Sequence, residues 1–411
     1  MIRRLFMRYG NSFPACFLVF LFVILFGSTY GYTESVRGVT DTTIKIGVIM
    51  DLTGPSAGDI GLPITEALKN YTRYINESGG IFGRRIKLIV EDDRYAIPAG
   101  IAAFKKLLFR DRMFGFVGPG NTGAGRILYP KLDKHKVPTL AAVPDEFTVK
   151  PLKRHIFFPA TIYDDHIGVI FDYIIHDLKP KELNMTFVYF DAESGKVGLT
   201  SAEKWAKHFN VHFDKEIISM GALDATSQVM NIKRNKSTHI IIHHTSPAAA
   251  ALLRDLHKFG LHIPVFGTLI NCTEDTVRMA GSASRNYMGA HSFGSWYDDS
   301  EGIKMMRRIT LKYKPGTEKP HRTNIYTAAW VLSTVFYEGF YRAGKDLTVE
   351  SLVAGLESIK DLDTKGICGA ISFSHTDHKG LYHSKIFKAD PESGTLVPIT
   401  DWRRTPKKNE R

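Results

Sequence analysis

Two hydrophobic periods alternate along this chain. Residues 44–50 (IKIGVIM) form a β-branched apolar run that ends in the turn-rich stretch LTGPSAGDIG. Residues 64–75 then repeat apolar positions at helical spacing, up to the glycine stop at 77–80. The same alternation predicts strands at 86–90, 114–117 and 138–142, with helices at 99–109 and 124–132. It restarts with strand 186–190, helix 196–209, strand 211–217, helix 227–235, strand 239–243, helix 247–259 and strand 265–267. Strands that alternate with helices predict a parallel sheet covered by helices, and two such runs predict two sheets, an α/β fold of two lobes. Between the runs, residues 156–158 and a polar turn at Tyr163, Asp164 and Asp165 mark a crossing. After about residue 287 the pattern is mostly helical, at 305–313, 325–341 and 349–359, and short strands at 370–373 and 381–388 close the body. The aromatics within 326–341 recur at helical spacing and read as core contacts. That stretch is too thin for a third core, so it completes an existing lobe and the chain crosses between lobes more than once. Ligands of open parallel sheets bind beyond the carboxyl ends of the strands, so two facing lobes predict a cleft that closes about a hinge.

Length agrees with this organisation: 411 residues suggest two or three folded units. An apolar share of 44% and a charged share of 23% exclude disordered, collagen-like and disulfide-scaffold classes. The formal charge of +12 falls to +5 over 32–401 once three leader arginines and the tail's surplus of four are set aside. No clustered basic face with interleaved aromatics is left, so nucleic acid is not an expected partner. The leader itself carries Arg3, Arg4 and Arg8 ahead of the apolar run 15–26, with small residues Gly27, Ser28 and Gly31 behind it. This order predicts a signal peptide at 1–31 and export, with an uncleaved membrane anchor as the alternative. Cys272 and Cys368 then remain, and they read as free buried thiols rather than a disulfide.

Several stretches in order carry a family resemblance: IKIGVIMDLTGP (44–55), INESGGIFGRR (75–85), LIVEDD (88–93), FVGPGNTGA (116–124), VPTLAA (137–142), 252–260 with 264–267, and KGICGAISF (365–373). Together they resemble the periplasmic branched-chain amino-acid-binding proteins, the solute-binding components of ABC importers. The resemblance spans about 42–388. It implies two Rossmann-like lobes joined by a three-crossing hinge, the type I periplasmic binding protein fold. Lobe 1 would comprise 42–158 and 297–373, lobe 2 would comprise 159–296 and 374–402, and 403–411 would be a basic tail. It also implies a periplasmic, monomeric protein that partners a small-molecule ligand and the permease subunits in the membrane, without catalytic residues, cofactor or metal.

The resemblance also places ligand contacts. Asn121, Thr122 and Gly123 lie in the loop that holds a ligand carboxylate in the family, where free N–H groups and a helix dipole suit an anion. Asn121 or Thr122 could equally serve as a helix cap. Val143 and Asp145 lie in the next contact loop, and Asp145 stands where the family has a hydroxyl. A carboxylate there favours an amine, amide or hydroxyl donor, unless Asp145 only caps a turn or faces solvent. Ser194 and Ser246 stand where the family has aromatics, and Leu269 stands near its ammonium-binding acid. No Asp or Glu occurs in 257–272, so a buried ammonium would lack a partner. The resulting expectation is an amino-acid-like, small polar solute other than a branched-chain amino acid. The alternative function is a ligand-sensing module acting through a membrane receptor.

Other chemistry-bearing residues read as structural. His375, Asp377, His378 and His383 suit a turn better than a metal site, His243 and His244 end a strand as satisfied histidines, and Glu91, Asp92 and Asp93 end another. No nucleophile-elbow or zinc-protease motif occurs.

Overall fold

β1 (Thr43–Met50) is buried along almost its whole length, because helices cover both faces of its sheet. That is why it reads as a continuous apolar run rather than an alternation. The computed structural model describes residues 36–315 and 323–407, so the leader at 1–31 and the end of the basic tail lie outside the described residues. From β1 the chain passes through α1 (Leu62–Glu77), β2 (Arg85–Asp92), α2 (Ile97–Lys105), β3 (Gly115–Val117), α3 (Thr122–Lys134), β4 (Thr139–Leu140), α4 (Glu146–Val149) and β5 (Ile156–Phe157). These strands form a parallel sheet in the order β2-β1-β3-β4-β5, with Val48 opposite both Val90 and Val117.

The second run comprises α5 (Tyr163–Asp172), β6 (Met185–Tyr189), α6 (Glu193–Phe209), β7 (Phe213–Ile217), α7 (Thr226–Arg234), β8 (His239–His243), α8 (Ser246–Lys258), β9 (Val265–Gly267), α9 (Glu274–Ala280) and β10 (Tyr287–His291). The chain then forms α10 (Glu301–Tyr313), α11 (Asn324–Ala343) and α12 (Val349–Glu357), and ends in β11 (His383–Asp390), β12 (Thr395–Pro398) and β13 (Arg403–Arg404). The second sheet runs β12-β11-β10-β9-β8-β6-β7, with β13 paired to β11. It is parallel from β6 to β10, while β11 and β12 are antiparallel. Successive residues of β8 serve opposite faces: Ile240 and Ile242 join Val188, Leu252 and Val277, whereas Ile241 joins Phe187, Trp205 and Phe266.

α11 packs on α1 and α12, so this helical stretch completes the lobe of the first sheet. The expected aromatic core is here. Tyr71 of α1 stacks on Tyr337 at 5.4 Å between ring centroids and meets Trp330 edge-on at 4.7 Å. The Thr72 hydroxyl lies 2.6 Å from the Tyr337 hydroxyl, and the Asn70 amide donates to Tyr326 at 3.0 Å.

Three stretches carry the chain between the sheets: 158–162, 292–300 and 358–382. They are tied to one another. Phe158 donates its N–H to the His378 carbonyl at 2.8 Å and accepts from the Gly380 N–H at 2.8 Å. The Ser292 hydroxyl meets those of Thr161 and Ser384.

Four details differ from the pattern reading. The polar turn at Tyr163 is the first turn of α5, where Asp165 accepts the Ile162 N–H at 2.8 Å and so starts a helix rather than a loop. β10 and α9 are short elements that the pattern passed over. Residues 370–373 form no strand, because Ile371 makes only an isolated bridge to Leu362. Arg403 and Arg404, read as the start of a free tail, dock as β13, and Arg403 pairs with Asp172 and Asp177 at 2.7 and 2.8 Å.

Trp205 is almost fully buried beneath α5, and its Nε1 donates to the Asp164 carbonyl at 2.8 Å. Trp205→Ala removes that packing and leaves a cavity, so urea unfolding is expected to show a loss of about 3–5 kcal/mol. A loss below about 1 kcal/mol would mean that α5 is not anchored there.

Candidate ligand-binding site

The loop after β3 leaves the sheet at Gly118, whose φ of +113° and close approach to the Ile49 carbonyl admit no side chain. Asn121 then accepts the Ala124 N–H at 3.1 Å and caps α3. Thr122 follows, buried, and its side chain faces that of Tyr163 at the start of α5. Gly123 lies against Ile97, where a Cβ would come within 2.9 Å of the Ile97 side chain. The loop after β4 turns on the Tyr129 hydroxyl, which accepts the Ala142 and Val143 N–H groups, both at 3.2 Å. Val143 is therefore part of the core. Asp145 is paired: Arg126 reaches it at 2.8 Å and also reaches Glu193 of α6 at 2.7 Å. Burial pushes the Asp145 carboxyl up despite that arginine.

From the second sheet, Ser194 gives its carbonyl to His243 Nε2 at 3.0 Å, and its hydroxyl lies 3.5 Å from that of Tyr95. Ser246 opens α8; its N–H donates to Asp59 at 3.1 Å and its hydroxyl meets Thr273 at 2.9 Å. Burial holds the Asp59 carboxyl up at about 6. Thr122–Tyr163, Tyr95–Ser194, Asp59–Ser246 and Arg126–Glu193 thus join the two halves across the cleft, and the form described is closed.

Behind these contacts lies a cavity of about 90 Å³, room for several waters or a small organic molecule. Of the eight candidate residues only Leu269 lines it, although the flanking Gly120, Ala142 and Pro144 do as well. The expected loops therefore reach the cavity through backbone and small side chains. Most of the wall is apolar, with Ile64, Phe158, Ile270, Phe293 and Leu332 among the lining residues. Its polar members are Thr161, Tyr163, His166, His291 and Ser292. Sequence reasoning missed all five because they sit on the crossings and at the ends of α5 and β10. The one available signal was His291 and Ser292 together, polar residues directly after an apolar strand.

Thr161, His166 and Ser292 satisfy one another: His166 Nε2 lies 2.9 Å from the Thr161 hydroxyl and 3.0 Å from that of Ser292. The other weighed residues are structural. His243 Nδ1 meets the Thr268 hydroxyl at 2.8 Å, and His244 Nε2 meets the Ile218 carbonyl at 2.9 Å. His378 stacks on Phe157 and binds the Ile156 carbonyl at 3.0 Å. Asp51, Asp92 and Asp93 bring ligand atoms within 4.8 Å of one another, but Asp51 and Asp92 spend theirs on N–H and hydroxyl groups of the loops after β1 and β2. Cys272 and Cys368 are free and buried. No helix among the described residues is long and apolar enough to cross a membrane.

Residues 43–394 match the model of a periplasmic binding protein family. A Leu/Ile/Val-binding protein homolog of Brucella melitensis is 24% identical over 92% of this chain and 98% of its own length. An amino acid binding protein of Pseudomonas aeruginosa is 23% identical over 85% of this chain and 95% of its own. Among solved structures, a branched-chain amino acid ABC transporter protein from Thermus thermophilus, with bound valine, superposes with a TM-score of 0.82 at 22% identity, over 89% of this chain and 97% of that one. A fatty acid ABC transporter substrate-binding protein from Thermomonospora curvata gives 0.78 at 21% identity, over 92% and 95%. These superpositions establish the type I periplasmic binding protein fold.

Burial holds His166, His243 and His291 at about 3, far below the ordinary imidazole value. The unfolded chain therefore takes up protons that the folded one refuses, and each histidine withdraws stability as pH falls from about 6.5 toward 3, by roughly 1.4 kcal/mol per pH unit. Asp59 and Asp93, both raised to about 6 by burial, act in the opposite sense, returning stability as pH falls through that value. A difference between variants isolates one histidine. Urea unfolding of His243→Gln at pH 6.5, 5.5 and 4.5 should show an acid slope shallower than the unsubstituted protein by about 1.4 kcal/mol per unit. Parallel slopes would mean that His243 titrates normally.

Proposed function

The chain belongs to the periplasmic binding protein family, and on that premise we propose that it captures a small organic solute between its lobes and delivers it, unaltered, to the membrane permease of an ABC-type importer. The lobes are 42–158 with 297–373, and 159–296 with 374–402; the protein works outside the cytoplasm as a monomer. One observation carries this reading: residues of both halves meet across a cleft that encloses a cavity beside the tied crossings. Closed contacts exist only when the lobes approach, so a ligand that touches both walls shifts an open–closed equilibrium toward the closed form. The relatives named for amino acids and the structural neighbour named for fatty acids support a small organic acid as cargo. The apolar wall turns the expected small polar solute into one with an apolar body.

A thermal-shift screen over a metabolite panel, followed by small-angle scattering of the hits, tests the proposal. A ligand at a hundredfold excess over its Kd adds about 2.7 kcal/mol and should also reduce the radius of gyration. A panel that spans sugars, amino acids, polyamines and organic acids, and moves neither quantity, would remove the binding-protein reading; turnover of a hit would make the protein an enzyme. Thr122→Val deletes the hydroxyl of a side chain that faces Tyr163 across the cleft. It should weaken the best ligand by about two- to tenfold in calorimetry while leaving the ligand-free melting temperature nearly unchanged.

A further inference from the structure

If the cleft is the binding site, as proposed above, its wall restricts the cargo further. No Asp, Glu, Lys or Arg among the described residues lines the cavity. Three acids bordering the cleft are engaged elsewhere, Asp59 with the Ser246 N–H, and Asp145 and Glu193 with Arg126. An ammonium carried into this cavity would lose its water and find no anion, a heavy penalty for a buried charge. An uncharged oxygen headgroup meets no such obstacle, because hydroxyls and imidazoles are its natural partners, whereas a carboxylate would lose its water and find no cation on the wall.

The polar groups on the wall are not equivalent. Thr161, His166 and Ser292 are bonded to one another, and the Tyr163 hydroxyl is not among the buried polar atoms left without a partner. His291 is different. Its Nδ1 lies 3.2 Å from the Phe293 N–H, which can only donate, and 3.3 Å from the Phe293 carbonyl; assigning the shorter contact places the ring proton on Nε2, and Nε2 is buried with no hydrogen-bond partner. The residue is 1% exposed, so a water held in the cavity is its partner in the ligand-free protein, and a ligand that displaces this water has to replace the bond. A buried donor that no protein group accepts calls for a specific explanation. Here it stands on a residue of the cavity wall, at the end of β10, where the chain begins its second crossing. A partner that arrives with the ligand satisfies it.

We propose that His291 is a specificity-determining residue that donates through Nε2 to the single uncharged oxygen headgroup of a solute with a compact apolar body and no ammonium group. The discrimination against amino acids comes from the wall, and the selection among deaminated or never-aminated compounds comes from His291. Burial keeps the imidazole uncharged across the working pH range, so the donor is a neutral one and its pairing with an oxygen acceptor requires no proton exchange with solvent.

The test uses leucine, 4-methylpentanoate and 4-methylpentanamide as probes. The three share a carbon skeleton and differ in whether they carry the ammonium or the charged head. Calorimetry on the mature chain should find 4-methylpentanamide, whose head is uncharged, binding at least tenfold more tightly than leucine. Replacing His291 with Phe keeps a planar ring and removes the donor, and should weaken the better probe by about tenfold. His291→Gln restores an amide N–H near the position of Nε2 and should return affinity to within about threefold. Melting of each ligand-free variant checks that it folds, and the leucine comparison needs no variant. Leucine binding as tightly as 4-methylpentanamide, or His291→Phe binding as well as the unsubstituted protein, would overturn the proposal. Failure of all three probes would overturn the ligand class alone. The scattering series over the broad panel decides separately whether the cleft binds anything.

Discussion

The rest of the structure depends on the joining of its three crossings. Phe158 is hydrogen-bonded on both sides to the returning chain at His378 and Gly380, and Ser292 meets the first passage through Thr161 and the start of β11, just after the third, through Ser384. Each passage alone would be a flexible linker. Tied together they allow the sheets little freedom beyond opening and closing, the motion that a few element-terminal residues can absorb. The carboxyl ends of both parallel sheets then face one another by construction, since each βα unit carries its loop to that end.

The contacts across the cleft are of two kinds. Arg126 with Glu193 is exposed on both sides, and such pairs in water are worth little. They steer approach and register rather than hold the lobes together. The inner contacts are set deeper: Thr122 and Tyr163, which face one another, are buried, and Asp59, which accepts the first N–H of α8, is half-buried. Closure is therefore shared among weak polar bonds that a solvated open form can exchange for water at small net cost, as the proposed release of cargo requires.

Asp145 shows how a resemblance can mislead at a single position. In the sequence it is an unpaired acid at a contact loop, open to a role as ligand partner. In the fold an arginine nineteen residues earlier on α3 neutralises it. Thr122 kept a place at the cleft, but facing a tyrosine of the opposite lobe rather than open space. Tyr163 and His166 were hidden because the segment that carries them read as a turn. Asp164 and Asp165 look like turn residues until Asp165 is seen capping α5.

Much of the architecture was legible in the residues. Buried parallel strands impose apolar runs, amphipathic helices impose a 3.6-residue repeat, and their alternation leaves little choice but two covered parallel sheets. Even the aromatic face of α11 was readable from its spacing. The composition of the cavity was not. It is assembled from crossings and element ends, which have no period of their own, and its character depends on which polar groups satisfy one another after folding. Nothing local to His291 distinguishes it from His243, which is equally buried and fully bonded. Only packing leaves Nε2 of His291 without a protein partner, because hydrogen-bond satisfaction is a property of three-dimensional neighbours and not of sequence position.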